Sequence, residues 1–349
     1  MKQIVQNYKT GALDLIDAPV PACKPGGVLV RTRYSLISAG TELMKVSEAK
    51  LSLLGKAKAR PDQVKKVMAS VAQQGLKATY DKAMNKLDSY TPLGYSLCGE
   101  VIEVGHGAEE LAVGDLVARA GNQYALHADI NWVPLNLCVP VPPHVDPRHA
   151  AFTTVGAIAM QGLRQGEVSL GDVACVIGLG LVGQLLVQQL VAAGVRVVGV
   201  DPSAPRCELA KRLGAIEAAA PDDALLIAEA VSGLTDGAGA DEVFLTAGGD
   251  TNGPVELAVQ VARDRATVVD IGKVKLDLPW NDYYLKELDV RFSRSYGPGR
   301  YDAAYEEGGQ DYPIGYVRWT ERRNLACFVD LLARGRIDME PLIDHVAPF

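Results

Sequence analysis

The sequence predicts an α/β fold in which a doubly wound parallel sheet follows a β-rich N-terminal region. Three observations predict it. Strand and helix patterns alternate from about residue 172 onward, a Gly-x-Gly-x-x-Gly turn follows the first of those strands, and residues 1–150 read mostly as short strands and turns.

In the N-terminal region Val28 to Tyr34 is a β-rich run, and Gly99 to Val104 alternates into the turn Gly105-His106-Gly107. Val113 to Val117 and Asn131 to Pro134 continue the strand pattern. Between Lys45 and Asp88 the character changes. Val64, Val67, Met68 and Val71 fall at helical spacing, and the stripe stops at Gly75. This insert carries ten Lys/Arg against four Asp/Glu, a local +6 within a chain of net charge −7. A solvated helical face accounts for it, with a lid or a clamp on an acidic substrate as the alternative.

Further on, strands are predicted at 173–177, 196–200, 216–220, 242–246, 266–271 and 288–293. Helices are predicted at 181–193, 203–213, 222–232 and 254–262, the second with Ser203 as its cap and Gly214 as its stop. Strands joined by crossover helices give a parallel sheet covered on both faces. Residues 173–195 carry no charge and are long enough to span a bilayer, but Gly178, Gly180, Gly183, Gly194 and three glutamines fit a buried strand, a glycine turn and an amphipathic helix better.

Composition narrows the function. A chain of 349 residues suggests two domains, and 48% hydrophobic against 22% charged residues supports packed cores. A net charge of −7 argues against a nucleic-acid partner. Cys23, Cys98, Cys138, Cys175, Cys207 and Cys327 form no C-x-x-C pair, and His106, His127, His144, His149 and His345 share no metal spacing. Reduced thiols in a cytoplasmic protein, without a membrane anchor, are the expectation.

The glycine turn Gly178-Leu179-Gly180-Leu181-Val182-Gly183 carries the most weight. Gly178 permits the tight turn, Gly180 lets the backbone approach a pyrophosphate, and Gly183 allows close helix–strand packing. The free N–H groups at the helix start then face the phosphates. Asp201 ends the next strand, 18 residues after Gly183, where a carboxylate accepts from ribose hydroxyls and repels a 2′-phosphate. NAD is therefore the expected cofactor. Arg206, five residues on, either accommodates a phosphate or is a surface charge.

With its β-rich region first and its nucleotide fold late, the chain resembles the medium-chain dehydrogenase/reductase superfamily, the family of the zinc alcohol dehydrogenases. The resemblance rests on Gly94 to Gly105, Val113-Gly114-Asp115, the glycine turn, Arg206 to Ala215 and Val268 to Gly272. It implies a GroES-like catalytic domain at 1–150 with the insert at about 45–90, a Rossmann domain at 151–295, and a return to the catalytic domain at 296–349. It also implies cofactor contacts from Thr246, Ala247, Ile271 and Gly272, and a homo-oligomer, as a dimer. Family members usually continue past a segment like Ile343 to Phe349, so an excised half of a longer polypeptide is a further expectation.

The departures from the family are informative. Where it keeps zinc ligands this sequence has Ala39-Gly40-Thr41-Glu42, Gly94-Tyr95-Ser96 and Thr154. Neutral hydroxyls are poor substitutes for thiolate, imidazole and carboxylate, so no metal is expected. Proton transfer then falls to the protein. Tyr95 is the expected acid/base, with Thr41 as relay and Ser96 or Lys45 in support; the alternative is that Tyr95 fills the volume left by the metal. The loop Arg294 to Asp302 and the stretch Asp311 to Trp319 suggest that Tyr296 and Arg300 reach a polyhydroxylated or anionic substrate, with an interdomain or dimer contact as the alternative. This segment resembles zinc-less members found in bacterial surface-polysaccharide contexts, which points to a sugar, cyclitol or sugar-derived small molecule. The expected reaction is interconversion of a secondary alcohol and a ketone; the alternatives are a C=C reductase and a non-catalytic NAD-binding module.

Overall fold

A computed structural model of the chain describes residues 1–7, 10–38, 40, 42, 75 and 90–348. The expected helical stripe at 64–71, most of the basic insert, Thr41 and Lys45 lie outside the described residues.

The N-terminal strands are β1 (Lys2–Asn7), β2 (Leu13–Asp17), β3 (Gly27–Ser35), β4 (Tyr90–Pro92), β5 (Ser96–Val104), β6 (Leu116–Ala120), β7 (Ile130–Pro134) and β8 (Cys138–Pro140). They form two antiparallel sheets, β2-β1-β4 and β7-β3-β5-β6-β8. The run expected as a strand from Val113 turns first: Gly114 adopts φ +97°, and β6 begins at Leu116. A left-handed glycine reverses the chain there, so the apolar pattern is cut short.

After the short helix α1 (Pro147–Ala150), α2 (Thr153–Gly166) leads into a second unit. Its strands are β9 (Val173–Ile177), β10 (Arg196–Val200), β11 (Glu217–Ala219), β12 (Ala240–Leu245), β13 (Ala262–Asp270) and β14 (Asp289–Phe292). The crossovers include α3 (Leu181–Ala192), α4 (Ala204–Arg212), α5 (Ala224–Leu234), α6 (Gly253–Val261) and α7 (Trp280–Leu285). All six strands are parallel, in the order β11-β10-β9-β12-β13-β14. β13 starts earlier than expected because it follows α6 without a loop. The charge-free run 173–195 is accounted for by β9, the glycine turn and α3, and among the described residues no helix is long and apolar enough to cross a membrane.

Side-chain alternation explains why the strands are apolar throughout. Ala174, Val176, Val197, Phe244 and Val269 enter one core with Leu185 and Leu186 of α3. Their neighbours Cys175, Ile177, Val198, Val243, Leu245 and Val268 enter another with Ile227, Val255 and Ala258. A strand covered on both faces needs an unbroken apolar run, and all five residues of β9 are buried. The strand order reverses between β9 and β12, so the crevice beyond their C-terminal ends is the place where such sheets bind ligands.

The chain then passes α8 (Ala303–Glu306) and α9 (Glu321–Ala333). Leu325 and Val329 of α9 share a core with Val28, Val30, Val101, Val117 and Tyr296, so the C-terminal segment packs against the five-stranded antiparallel sheet.

Candidate active site

At the switch point, three glycines are forced by contact. Gly178 adopts φ +103°, and a Cβ there would lie 2.4 Å from Ala247 N. A Cβ on Gly183 would lie 2.0 Å from Gly178 O, and one on Gly272 would lie 2.0 Å from Ala247 O. Gly180 differs. It caps α3 with φ −71°, and nothing lies within 4 Å of where its Cβ would be. The turn is closed on the protein side and open on the other, in front of the helix N-terminus, which is the shape a pyrophosphate cradle requires. Thr246 Oγ1 donates to Ile177 O at 3.2 Å and to Gly178 O, tying the ends of β9 and β12. Ile271 N and Gly272 N both donate to Leu245 O at 2.9 Å. Gly178, Gly180, Gly183, Thr246, Ala247, Ile271 and Gly272 are thus brought to one sheet end.

Asp201 directly follows β10 and is buried. Its Oδ2 accepts from Leu179 N at 2.8 Å and its Oδ1 from Ser203 N at 2.9 Å. The carboxylate therefore braces the glycine turn. Arg206 Nη1 lies 3.5 Å from Asp201 Oδ2, while the arginine side chain stays 57% exposed. Gln184 Nε2 donates to Leu179 O and Arg206 O, locking α3 to the start of α4.

Beside the cradle runs a cleft of about 1510 Å³ between the two units. Leu179, Leu181 and Arg206 line one side; Ser35, His127 and Phe152 line the other. Residues near the C-terminus, 341–348, complete its rim.

Two hydroxyls at the family's metal positions, those of Ser96 and Thr154, are engaged elsewhere. Ser96 Oγ donates to Ala151 O at 2.6 Å, and Thr154 Oγ1 donates to Tyr95 O at 3.2 Å and Arg119 O at 3.1 Å. Both residues are fully buried. Tyr95 is 4% exposed and packs in a core that contains Leu36 and Phe152. Ser96 and Thr154 do not fit zinc, because each offers only a neutral hydroxyl already engaged with backbone carbonyls. Among the described residues Asp146, His149 and Glu340 are grouped closely enough to hold an ion, but Arg148 donates to Asp146 and Glu340 at 2.7 Å each and supplies the positive charge there.

Tyr296 and Arg300, expected near substrate, lie outside the lining of this cleft. Tyr296 is buried in the antiparallel-sheet core, and Arg300 Nη1 pairs with Glu306 Oε1 at 2.5 Å. Gly297 and Gly299, with φ +123° and +106°, turn the backbone tightly against Asn324 and the Tyr305 ring. The loop after β14 is thereby folded inward.

One constellation was missed by sequence reasoning. His127 Nδ1 lies 2.5 Å from Ser35 Oγ, and its Nε2 lies 3.1 Å from Glu42 Oε2. The His127 and Glu42 side chains are nearly enclosed, at 4% and 8% exposure. His127 also borders the Tyr95 segment: its N donates to Leu93 O, and a Cβ on Gly94 would lie 2.5 Å from it. No local signal could have found it, since His127 lies 92 and 85 positions from Ser35 and Glu42.

The profile of the zinc-binding dehydrogenase family matches residues 182–307. Over 258 residues the chain is 30% identical to the D-guloside 3-dehydrogenase of Shigella flexneri, covering 74% of this chain and 70% of that protein. It is 29% identical over 230 residues to the (R,R)-butanediol dehydrogenase of Bacillus subtilis, covering 57% of this chain and 64% of that one. Among solved structures, galactitol-1-phosphate dehydrogenase from Escherichia coli shares the fold with a TM-score of 0.72 at 18% identity, covering 98% of this chain and 91% of that one. The glycine cradle, the late parallel sheet and these relatives together lead to one conclusion: the chain belongs to the medium-chain dehydrogenase/reductase superfamily of the zinc-binding dehydrogenases.

Proposed function

We propose that this protein is a zinc-independent, NAD(H)-dependent oxidoreductase that interconverts a secondary alcohol and a ketone on a sugar, cyclitol or sugar-derived substrate. The observation that carries the proposal is the open face of Gly180 at the start of α3, set beside the Asp201 carboxylate. The N-terminal amides of α3 would hold the pyrophosphate, and Asp201 would accept from the adenosine ribose hydroxyls while disfavouring a 2′-phosphate. When bound, the nicotinamide supplies the hydride acceptor or donor. Ile271 and Gly272, at the end of β13, would position that ring toward the cleft. Substrate class is supported by relatives named for sugar and diol oxidation. Metal independence is supported by the engagement of Ser96 and Thr154 with backbone carbonyls.

The proposal extends to a cytoplasmic homodimer. β14 is the edge strand of the six-stranded sheet, and Phe292 on it is 64% exposed. Trp280, Tyr284 and Leu285 of the neighbouring α7 are exposed by 68%, 63% and 76%. An apolar patch flanking an unpaired strand edge suits a second copy of the chain.

The test is calorimetry with NADH and NADPH, followed by turnover of a panel of polyols and sugar alcohols and metal analysis of tag-free protein. NADH should bind more tightly than NADPH, at least one alcohol should be oxidised, and zinc should be well below one per chain. Failure to bind either nucleotide, or near-stoichiometric zinc, overturns the corresponding part.

A further inference from the structure

We propose that Ser35, His127 and Glu42 form the proton path of the active site, with Ser35 as the group that meets the substrate hydroxyl. The inference rests on the oxidoreductase reading above and names the residues that would replace the metal in it.

With an ionised Glu42 and a neutral imidazole, the chemistry of the partners sets the direction of each hydrogen bond. A carboxylate only accepts, so Glu42 must receive a proton from His127 Nε2, at 3.1 and 3.2 Å to its two oxygens. Nδ1 is then the unprotonated nitrogen and accepts from Ser35 Oγ at 2.5 Å. Ser35 ends β3, is half-buried and lines the cleft, as does His127. Behind them, Glu42 is almost fully enclosed, so the ring is held in one tautomer and water cannot readily replace its partner. The serine's remaining lone pairs are available to an alcohol in the cleft.

In the oxidative direction the substrate hydroxyl gives its proton to Ser35 Oγ as Ser35 passes its own to His127 Nδ1. The carbinol C–H bond breaks with its electron pair, for which a bound oxidised nicotinamide would be the acceptor, and the C=O double bond forms. The substrate loses two electrons and two hydrogens. The released proton rests on the imidazolium, whose Nε2–H faces the Glu42 carboxylate. Reduction runs the same path backwards. General acid–base assistance of this kind is worth about 10²- to 10⁴-fold in rate.

The experiment compares Ser35→Ala, Ser35→Thr and His127→Gln in the full chain. Each is assayed with the alcohol turned over fastest in the panel, and NADH affinity is measured by fluorescence titration. Ser35→Ala and His127→Gln should lower kcat by about 100-fold or more, with NADH affinity within a factor of about three. Ser35→Thr, which keeps the hydroxyl, should stay within about tenfold of the parent. In parallel, nitrogen NMR of labelled protein, with His127→Gln identifying the resonance, should show His127 as the Nε2–H tautomer. Retention of more than a third of turnover by Ser35→Ala, a matching loss of NADH affinity, or an Nδ1–H tautomer would overturn the proposal. A parent protein that binds NADH but oxidises no alcohol in the panel would instead defeat the oxidoreductase reading, and the tautomer would still decide the hydrogen-bond chain.

Discussion

Replacing Gly180 by alanine separates cofactor binding from folding. In the free protein the new methyl meets nothing within 4 Å, and φ −71° is allowed to any residue. Alanine is a poorer helix cap than glycine, but it also restricts the unfolded chain, and each effect is worth under about 1 kcal/mol with opposite sign. The melting temperature should therefore shift by no more than about 3 °C. The methyl would, however, fill the space in front of the α3 amides. Losing one charge-assisted hydrogen bond to a phosphate costs about 1.5–3 kcal/mol, so NADH affinity should fall about 10- to 100-fold. Gly183→Ala is the control. Its Cβ would sit 2.0 Å from Gly178 O, a backbone atom that cannot move aside, and overpacking there should cost about 1–3 kcal/mol of stability. Differential scanning fluorimetry and calorimetry on both variants read the two effects. Wild-type NADH affinity in Gly180→Ala, or a stability loss equal to that of Gly183→Ala, would refute the phosphate-cradle assignment.

Other outcomes follow from single side chains. Asp201→Ser, with Arg206 retained, should move the NADH-to-NADPH affinity ratio toward NADPH by about tenfold or more, and an unchanged ratio removes Asp201 from cofactor selection. Glu321 is fully buried, and burial pushes its carboxyl up to about 9, with Glu306 adding and Arg300 opposing. It stays protonated in the fold while the unfolded chain ionises, so its contribution is complete below the usual carboxylate range and is lost as pH rises toward 9. Glu321→Gln should thus be more stable than the parent by about 1–3 kcal/mol at pH 8.5 and show a flatter pH dependence; parallel curves between pH 5 and 9 in chemical denaturation would contradict this. Leu285→Arg combined with Phe292→Glu should give monomers by sedimentation velocity, and a parent protein that is already monomeric sinks the edge-strand dimer.

Much of the nucleotide unit was legible in the linear sequence. The boundaries of β9 and β10 follow from apolar runs, and the glycine turn follows from contacts within six residues, where Gly183 packs on Gly178 itself. Asp201 was locatable for the same reason, because one crossover of nearly invariant geometry separates it from the turn. These are properties of near neighbours, set by side-chain period and backbone sterics. The catalytic side was not legible in this way. Tyr296 and Arg300 carry the chemistry of substrate contacts, yet Gly297 and Gly299 turn them into the core and Glu306 takes the arginine. Conversely, His127 lies 92 and 85 positions from Ser35 and Glu42, and no local pattern joins them. The pairing of β3 with β7 brings Thr32 to Asp129 and Ala128, and so sets His127 beside Ser35. Sequence alone determined the fold class and the place of the glycine turn within it. Which hydroxyls are engaged by backbone carbonyls and which face the cleft was decided only by tertiary packing, because a hydrogen bond across strands depends on register, and register is not a property of either segment alone.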